Sequence, residues 1–191
     1  LLTRPVSTDS MNDTDPLSLL QERLSDGARV AVLSGAGISA ASGVPTFRGA
    51  HDGLWSKYRP EELATPEAFA SDPDLVWRWY DWRRGLIDAA GPNAAHEALA
   101  ELETLCPVTI ITQNVDGYHQ SAGSSNVLEF HGSIWNVRCV ACGHEVLDRR
   151  VPIPILPECE KCGGLIRPGV VWFGEGIDPR VHAASEASVG D

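Results

Sequence analysis

Four cysteines constrain this chain more than any other feature. Cys139, Cys142, Cys159 and Cys162 form the pattern C-x2-C-x16-C-x2-C, with Gly143 after the first pair and Gly163 and Gly164 after the second. A C-x-x-C turn brings two thiolates to one cation, and the glycines permit the tight turns around such knuckles. Two disulfides or four free thiols are the alternatives, and both suit the paired spacing less well. Four thiolates fill a tetrahedral zinc shell and leave no position for water or substrate, so the pattern predicts one structural Zn2+. His144 is a competing donor beside Cys142, but the four sulfurs suffice. The fifth cysteine, Cys106, precedes Pro107 at a helix-to-strand junction and reads as a small buried hydrophobe.

The rest of the chain reads as a core for this module to sit on. Of 191 residues, 43% are hydrophobic, enough for one domain plus a small satellite. A formal net charge of -11 argues against nucleic acid or anionic membrane as a partner and leaves basic peptides compatible. No apolar run approaches the roughly 20 residues of a membrane span, and no signal-type leader opens the chain. Together with the reducing environment that metal-binding cysteines favour, this predicts a soluble, cytoplasmic protein.

Residues 1–14 are polar and read as a disordered leader. Asp15 as N-cap and Pro16 predict a helix with Leu17, Leu20 and Leu24 on one face, closed by Gly27. Arg29-Val-Ala-Val-Leu33 reads as a parallel strand buried on both faces. Val108-Thr-Ile-Ile-Thr112 reads as a second strand, after a helix from Ala94 to Leu105. Val127-Leu-Glu-Phe130 and Val170-Val-Trp-Phe173 read as two more. The implied fold class is α/β: a Rossmann-like parallel sheet over residues 15–138 and 163–191, incomplete at its C-terminal side, with a zinc-ribbon-like module inserted at 139–162.

Between the first strand and the next helix lies Gly35-Ala-Gly37-Ile-Ser-Ala40, a match to G-x-G-x-x-A. Its first glycine allows the turn, and the second lets a pyrophosphate approach backbone amides. Glycine pairs after strands also serve packing alone. An ordinary dinucleotide fold places an acidic residue about 20 positions on to bind the adenosine ribose. Here that region is the loop Ser42-Gly-Val-Pro-Thr-Phe-Arg48-Gly-Ala50 instead.

The stretch Gly35-Ala-Gly-Ile-Ser-Ala-Ala-Ser-Gly-Val-Pro-Thr-Phe-Arg48 resembles the signature of sirtuins, the NAD-dependent protein-lysine deacylases. Thr112-Gln-Asn-Val-Asp116, Glu129-Phe-His-Gly132 and Val171-Trp-Phe-Gly-Glu175 resemble further family motifs, in family order. The resemblance implies that Gly35, Ala36, Gly37, Ser39, Thr46, Phe47, Arg48 and Trp55 contact the cosubstrate NAD. Gln113, Asn114 and Asp116 would line the nicotinamide and ribose pocket, and His131 would be the general base, with Asn114 and Asp116 assisting. Val171, Trp172 and Phe173 would meet the acylated-lysine substrate protein. In the family's reaction the acyl oxygen attacks the ribose C1′ as nicotinamide leaves, and an imidazole then takes a proton from a ribose hydroxyl.

Tyr80 and Arg83 lie i and i+3 on a helix, beside an apolar stripe of Trp79, Trp82 and Leu86. On residue type alone they are a core edge and a solvated charge. The Tyr-x-x-Arg also resembles the pair in sirtuins that remove succinyl, malonyl or glutaryl groups, where a guanidinium and a phenol receive the acyl carboxylate. Ala50 is small enough to leave room for that longer chain. Sirtuins of this kind continue with a Gly-Thr-Ser loop and an Asn-x-Glu segment, which hold the adenosine half of NAD. Neither is in this sequence, which predicts a sheet with one unpaired edge. Mono-ADP-ribosyl transfer to protein and a catalytically silent zinc-containing interaction module are the competing readings.

Overall fold

The computed structural model describes residues 15–25, 27–44, 55 and 57–190. The predicted leader and the predicted contact residues Thr46, Phe47, Arg48 and Ala50 lie outside them. In chain order the elements are α1 (Pro16–Ser25), β1 (Val30–Ser34), α2 (Ala36–Ala40), α3 (Pro60–Leu63), α4 (Pro66–Ser71), α5 (Pro73–Ala89) and α6 (Ala94–Leu102). There follow β2 (Val108–Thr112), α7 (Tyr118–Ala122), β3 (Val127–Glu129), β4 (Gly132–Cys139), β5 (Glu145–Leu147), β6 (Ile166–Val170) and α8 (Pro179–Val189).

β1, β2 and β3 form a parallel sheet with β2 in the middle, Val30 opposite Val108 and Ile110 opposite Val127. The β-branched run of β2 suits a buried central strand. Cys106, Val108 and Ile110 pack with Leu24, Val32 and Leu99, so Cys106 is the buried hydrophobe its context predicts. β1 departs from the expected burial on both faces. Val30 and Val32 meet that cluster, whereas Leu33 is 69% exposed. The strand is an edge, and alternation leaves its second face to solvent.

The other sheet is antiparallel, with β4 between β5 and β6. The strand expected at Val170–Phe173 lies earlier, at Ile166–Val170. It contains Pro168, accommodated where the β4–β6 register shifts between Gly132 and Val137. Beyond it the backbone leaves the ladder: Val171 N–H donates to the His131 carbonyl at 2.9 Å and Phe173 N–H to that of Ala64 at 2.9 Å. α6 stops at Leu102, short of the predicted Leu105, because Thr104 and Cys106 N–H donate into turns on Glu101 and Leu102. α8 fills a stretch where the sequence suggests no strand. Its Asp178 cap and Pro179 repeat the signal of Asp15 and Pro16.

α5 packs on β4 and β6 of the antiparallel sheet. Asp72 caps it by accepting from Leu75 N–H at 3.0 Å, and Val76, Trp77, Tyr80, Arg84 and Ile87 form its buried stripe. The stripe predicted from Trp79, Trp82 and Leu86 is displaced toward Trp77, whose indole N–H reaches the Ile166 carbonyl at 2.8 Å. Trp79 is buried as well, while Trp82 and Leu86 are half-buried. Each buried tryptophan contributes roughly 2–3 kcal/mol by area.

Arg84 is fully buried in this interface. Its guanidinium donates to the carbonyls of Ile134 (2.9 Å), Asp148 (2.5 Å) and Arg150 (3.3 Å), and lies 3.8 Å from the Asp148 carboxylate. Burial pushes its pKa down to about 10, against the pull of Asp148 and Asp81, so it stays charged at neutral pH. Replacing it leaves three carbonyls and a carboxylate without their cation. Arg84→Met is expected to lower unfolding free energy by about 3–5 kcal/mol, measured by urea denaturation at pH 7. A change below about 1 kcal/mol would mean the cation is dispensable there.

Candidate active site

The glycine loop and the end of β2 meet at the top of the parallel sheet. Gln113 N–H donates to the Ser34 carbonyl at 3.0 Å, one step beyond the ladder. Asn114 then turns inward, its Nδ2 donating to the Gly35 carbonyl (3.1 Å) and to Ser39 Oγ (3.0 Å). Ser39 Oγ donates in turn to Asp116 Oδ2 at 2.7 Å. The other Asp116 oxygen accepts from Tyr118 N–H at 3.0 Å, and its carbonyl accepts from Trp135 Nε1 at 2.6 Å. Loop, strand end and helix are thus joined by a chain with a defined donor direction. A Cβ on Gly37 would have no atom within 4 Å, so the loop's flank is open to a ligand.

Beneath this chain sit two buried histidines that no sequence motif singles out. His119 Nε2 lies 2.9 Å from Ser34 Oγ. His96 Nδ1 accepts from Asn93 N–H at 3.2 Å, and the two rings are 4.9 Å apart. Burial lowers the pKa of both, so both are neutral at pH 7. The Asn-x-x-His capping box of α6 is the one local signal that could have flagged His96.

His131 stands at the junction of the two sheets. Gly132, which follows it, has φ of +72°, and a Cβ there would fall 2.3 Å from the Gly169 carbonyl oxygen. Only glycine fits that approach. His131 Nδ1 is 3.0 Å from the Gln113 carbonyl. A carbonyl only accepts, so the proton is on Nδ1 and the lone pair is on Nε2.

A cavity of about 510 Å³ gathers these groups. Ala36, Ser39, Gln113, Asn114, Asp116 and His131 line one part of it. Tyr80, Arg83, Val171, Trp172 and Phe173 line it as well. Gly35 and Gly37 lie beside the cavity in the same loop, and Trp55 is buried against Tyr58 and Trp82, at ring separations of 6.2 and 6.0 Å. Glu61 and Glu175 also line the cavity, and sequence reasoning names neither as a site residue. Burial pushes the Tyr80 phenol up to about 12, against the pull of Arg83, and lowers the Arg83 guanidinium, which stacks 5.0 Å over Trp79.

The four predicted sulfurs converge at the far end of β4. All lie within 4.8 Å of one another, with Cys139 to Cys162 at 3.5 Å and Cys142 to Cys159 at 3.7 Å. A tetrahedral zinc with Zn–S near 2.3 Å requires about 3.8 Å between sulfurs. Gly143 and Gly163 take the positive φ of the two turns, donating to the Cys139 and Cys159 carbonyls. The Cys142 amide holds the Cys139 thiol down to about 6. At Cys162 the Gly164 amide lowers the thiol, but the Cys139 and Cys142 sulfurs outweigh it and push it up to about 12. Sulfurs this close can all carry the thiolate charge only around a cation, which neutralises their mutual repulsion. The donor set therefore fits one structural Zn2+.

A Rossmann-like sheet with a glycine-loop cleft and an inserted four-cysteine module defines a dinucleotide-binding class of protein. Residues 35–190 match the Sir2 family, to which this chain belongs. It is 60% identical over 164 residues to the NAD-dependent protein deacylase of Aquifex aeolicus, covering 85% of this chain and 67% of that protein. It is 56% identical over 159 residues to NAD-dependent protein deacylase 1 of Caldanaerobacter subterraneus, covering 82% and 65%. The fold superimposes on a crystal structure of a Sir2 homolog–NAD complex with a TM-score of 0.81 at 50% identity, over 90% of this chain and 67% of the other. The chain thus spans about two thirds of the length of these relatives.

Zinc analysis of the purified chain should return one ion per molecule. Its removal by a chelator should collapse the β4–β6 sheet and lower the thermal midpoint, since a structural zinc supplies on the order of 10 kcal/mol of apparent binding energy. An unchanged melting curve without metal would count against a structural role.

Proposed function

We propose that this chain carries the catalytic cleft of an NAD-dependent protein-lysine deacylase that prefers succinyl and malonyl groups and also removes acetyl. The observation that carries this reading is that a histidine whose Nδ1 is held by the Gln113 carbonyl shares one cavity with the polar groups of Ser39, Asn114 and Asp116 and with a Tyr–Arg pair, Tyr80 buried and Arg83 half-buried. NAD supplies the ribose carbon that accepts the acyl oxygen as nicotinamide departs, leaving O-acyl-ADP-ribose as product. Gly35, Ala36, Gly37, Ser39, Thr46, Phe47, Arg48 and Trp55 are assigned to the dinucleotide, with Gln113, Asn114 and Asp116 at its nicotinamide end.

His131 takes the proton from a ribose hydroxyl at Nε2, and the Gln113 carbonyl on Nδ1 steadies the imidazolium that forms. Asn114 and Asp116, already held through Ser39, spend no further entropy on being oriented. Val171, Trp172 and Phe173 offer backbone and side chain to the substrate segment. Tyr80 and Arg83, with Ala50, receive the acyl carboxylate. The raised Tyr80 pKa keeps that phenol a donor, and a guanidinium in a desolvated wall favours an incoming anion.

The substrates are acylated-lysine proteins, and the acidic surface disfavours nucleic acid and anionic membrane. Among the described residues no helix is long and apolar enough to cross a membrane. A cytoplasmic setting fits the metal-bound thiols.

Turnover of succinyl-, malonyl- and acetyl-lysine peptides with NAD, read by mass spectrometry, tests the assignment. His131→Ala should keep fold and zinc while losing at least about 100-fold in rate. Arg83→Met should reduce desuccinylation at least about tenfold more than deacetylation. Undiminished turnover in the first variant, or equal losses in the second, would defeat the corresponding assignment.

A further inference from the structure

The cavity wall at residues 171–175 is held by an ion pair that the proposed chemistry does not use. Arg167, on β6, is 7% exposed. Its guanidinium meets Glu175 through two hydrogen bonds, Nη1 to Oε1 at 2.5 Å and Nη2 to Oε2 at 2.9 Å. It also donates to the carbonyls of Val170 (2.9 Å) and Pro168 (3.3 Å). The plane of the cation lies 3.4 Å from the centre of the Trp172 ring. Glu175 closes the loop from the other side. Its Oε2 accepts from Trp172 N–H at 2.9 Å, and its own N–H returns to the Trp172 carbonyl at 3.0 Å. Trp172 is thereby fixed at backbone and at ring face. The Phe69 ring, 5.3 Å away, completes its packing.

What the fixed indole does is donate. Trp172 Nε1–H reaches the Tyr80 phenol oxygen at 2.9 Å. That bond occupies an acceptor site of the phenol and leaves its O–H to point elsewhere, and Tyr80 borders the cavity beside Arg83. We propose that Arg167 and Glu175 are positioning residues for acyl selectivity: by clamping Trp172 they aim the Tyr80 hydroxyl, and so set how well the cavity receives an acyl carboxylate. This rests on the reading of Tyr80 and Arg83 as the carboxylate-receiving pair.

The geometry separates this role from mere support of the loop. A guanidinium stacked on the ring and bonded to the carboxylate that holds the same residue's N–H controls the rotation of one indole. A loop brace alone could act on backbone carbonyls, as Arg84 does elsewhere in the molecule. Burial lifts the Glu175 carboxyl, and the Arg167 hydrogen bonds overcome that and hold it below the usual glutamate range. The carboxylate side of the clamp is therefore charged at working pH.

A double-mutant cycle tests it, with kcat and KM measured on succinyl- and acetyl-lysine peptides. Glu175→Gln should lower the succinyl-to-acetyl ratio of kcat/KM about tenfold, mainly through a higher KM for the succinyl peptide. In a Tyr80→Phe background the same change should leave the ratio where Tyr80→Phe alone puts it. Arg167→Lys, which keeps the charge but not the paired hydrogen bonds, should give a loss intermediate between wild type and Glu175→Gln. If Glu175→Gln fails to fold, Trp172→Phe, which keeps a ring and removes the N–H, should produce the same fall. A ratio unmoved by these changes, or a fall of equal size with and without the Tyr80 hydroxyl, would overturn the proposal while leaving the carboxylate preference of the wild type standing. A wild type without that preference would overturn both.

Discussion

One buried cation determines how the long helix α5 meets the antiparallel sheet. Arg84 has no water to solvate it, and burial of a guanidinium is tolerated only when its N–H groups are met. Carbonyls from β4 and from the segment after β5 meet them. The helix that carries it also carries Tyr80 and Arg83, and the strand it grips begins one residue after His131. A single desolvated side chain therefore relates the helix of Tyr80 and Arg83 to His131 and to the cysteine-bearing sheet. The Trp135 ring lies 5.3 Å from the Arg84 Cζ and the buried tryptophans Trp77 and Trp172 belong to the same core, but apolar packing is not directional. The hydrogen bonds of Arg84 fix the register.

On the nucleotide side, order comes from a different device. Asn114, Ser39 and Asp116 form a chain that runs from the Asn114 amide, which also donates to the Gly35 carbonyl, to a carboxylate whose other oxygen is held by the Tyr118 N–H, a group that only donates. The direction of the chain is thus set without any ligand. The neutral histidines His119 and His96 support it from below, where a charged group would disturb the donor pattern.

Much of this is legible in the sequence because it is local. The C-x2-C pairs specify their own turns, Val108–Thr112 announces a buried strand by composition, and the glycine loop follows a strand at motif spacing. The long-range parts are not legible. In Trp-Arg-Trp-Tyr-Asp-Trp-Arg-Arg the Tyr-x-x-Arg resemblance singles out Arg83, which lines the cavity, but nothing marks Arg84 as buried among carbonyls; the two are adjacent and differ only by rotation about the helix. Leu33 reads as core because its neighbours are apolar, and only the strand order shows it on an edge. Arg167 and Glu175 lie eight residues apart across an irregular turn, and their shared grip on Trp172 has no periodic signature.

The hydrogen bond from Val171 N–H to the His131 carbonyl has a mechanical meaning. It ties the histidine's own backbone to the first residue beyond β6, where the cavity wall leaves the ladder. A shift of the wall segment therefore pulls on the histidine's backbone, and a shift of the histidine pulls on the wall. The cysteine cluster, at the opposite end of β4, then acts as the anchor of a lever whose short arm carries the histidine.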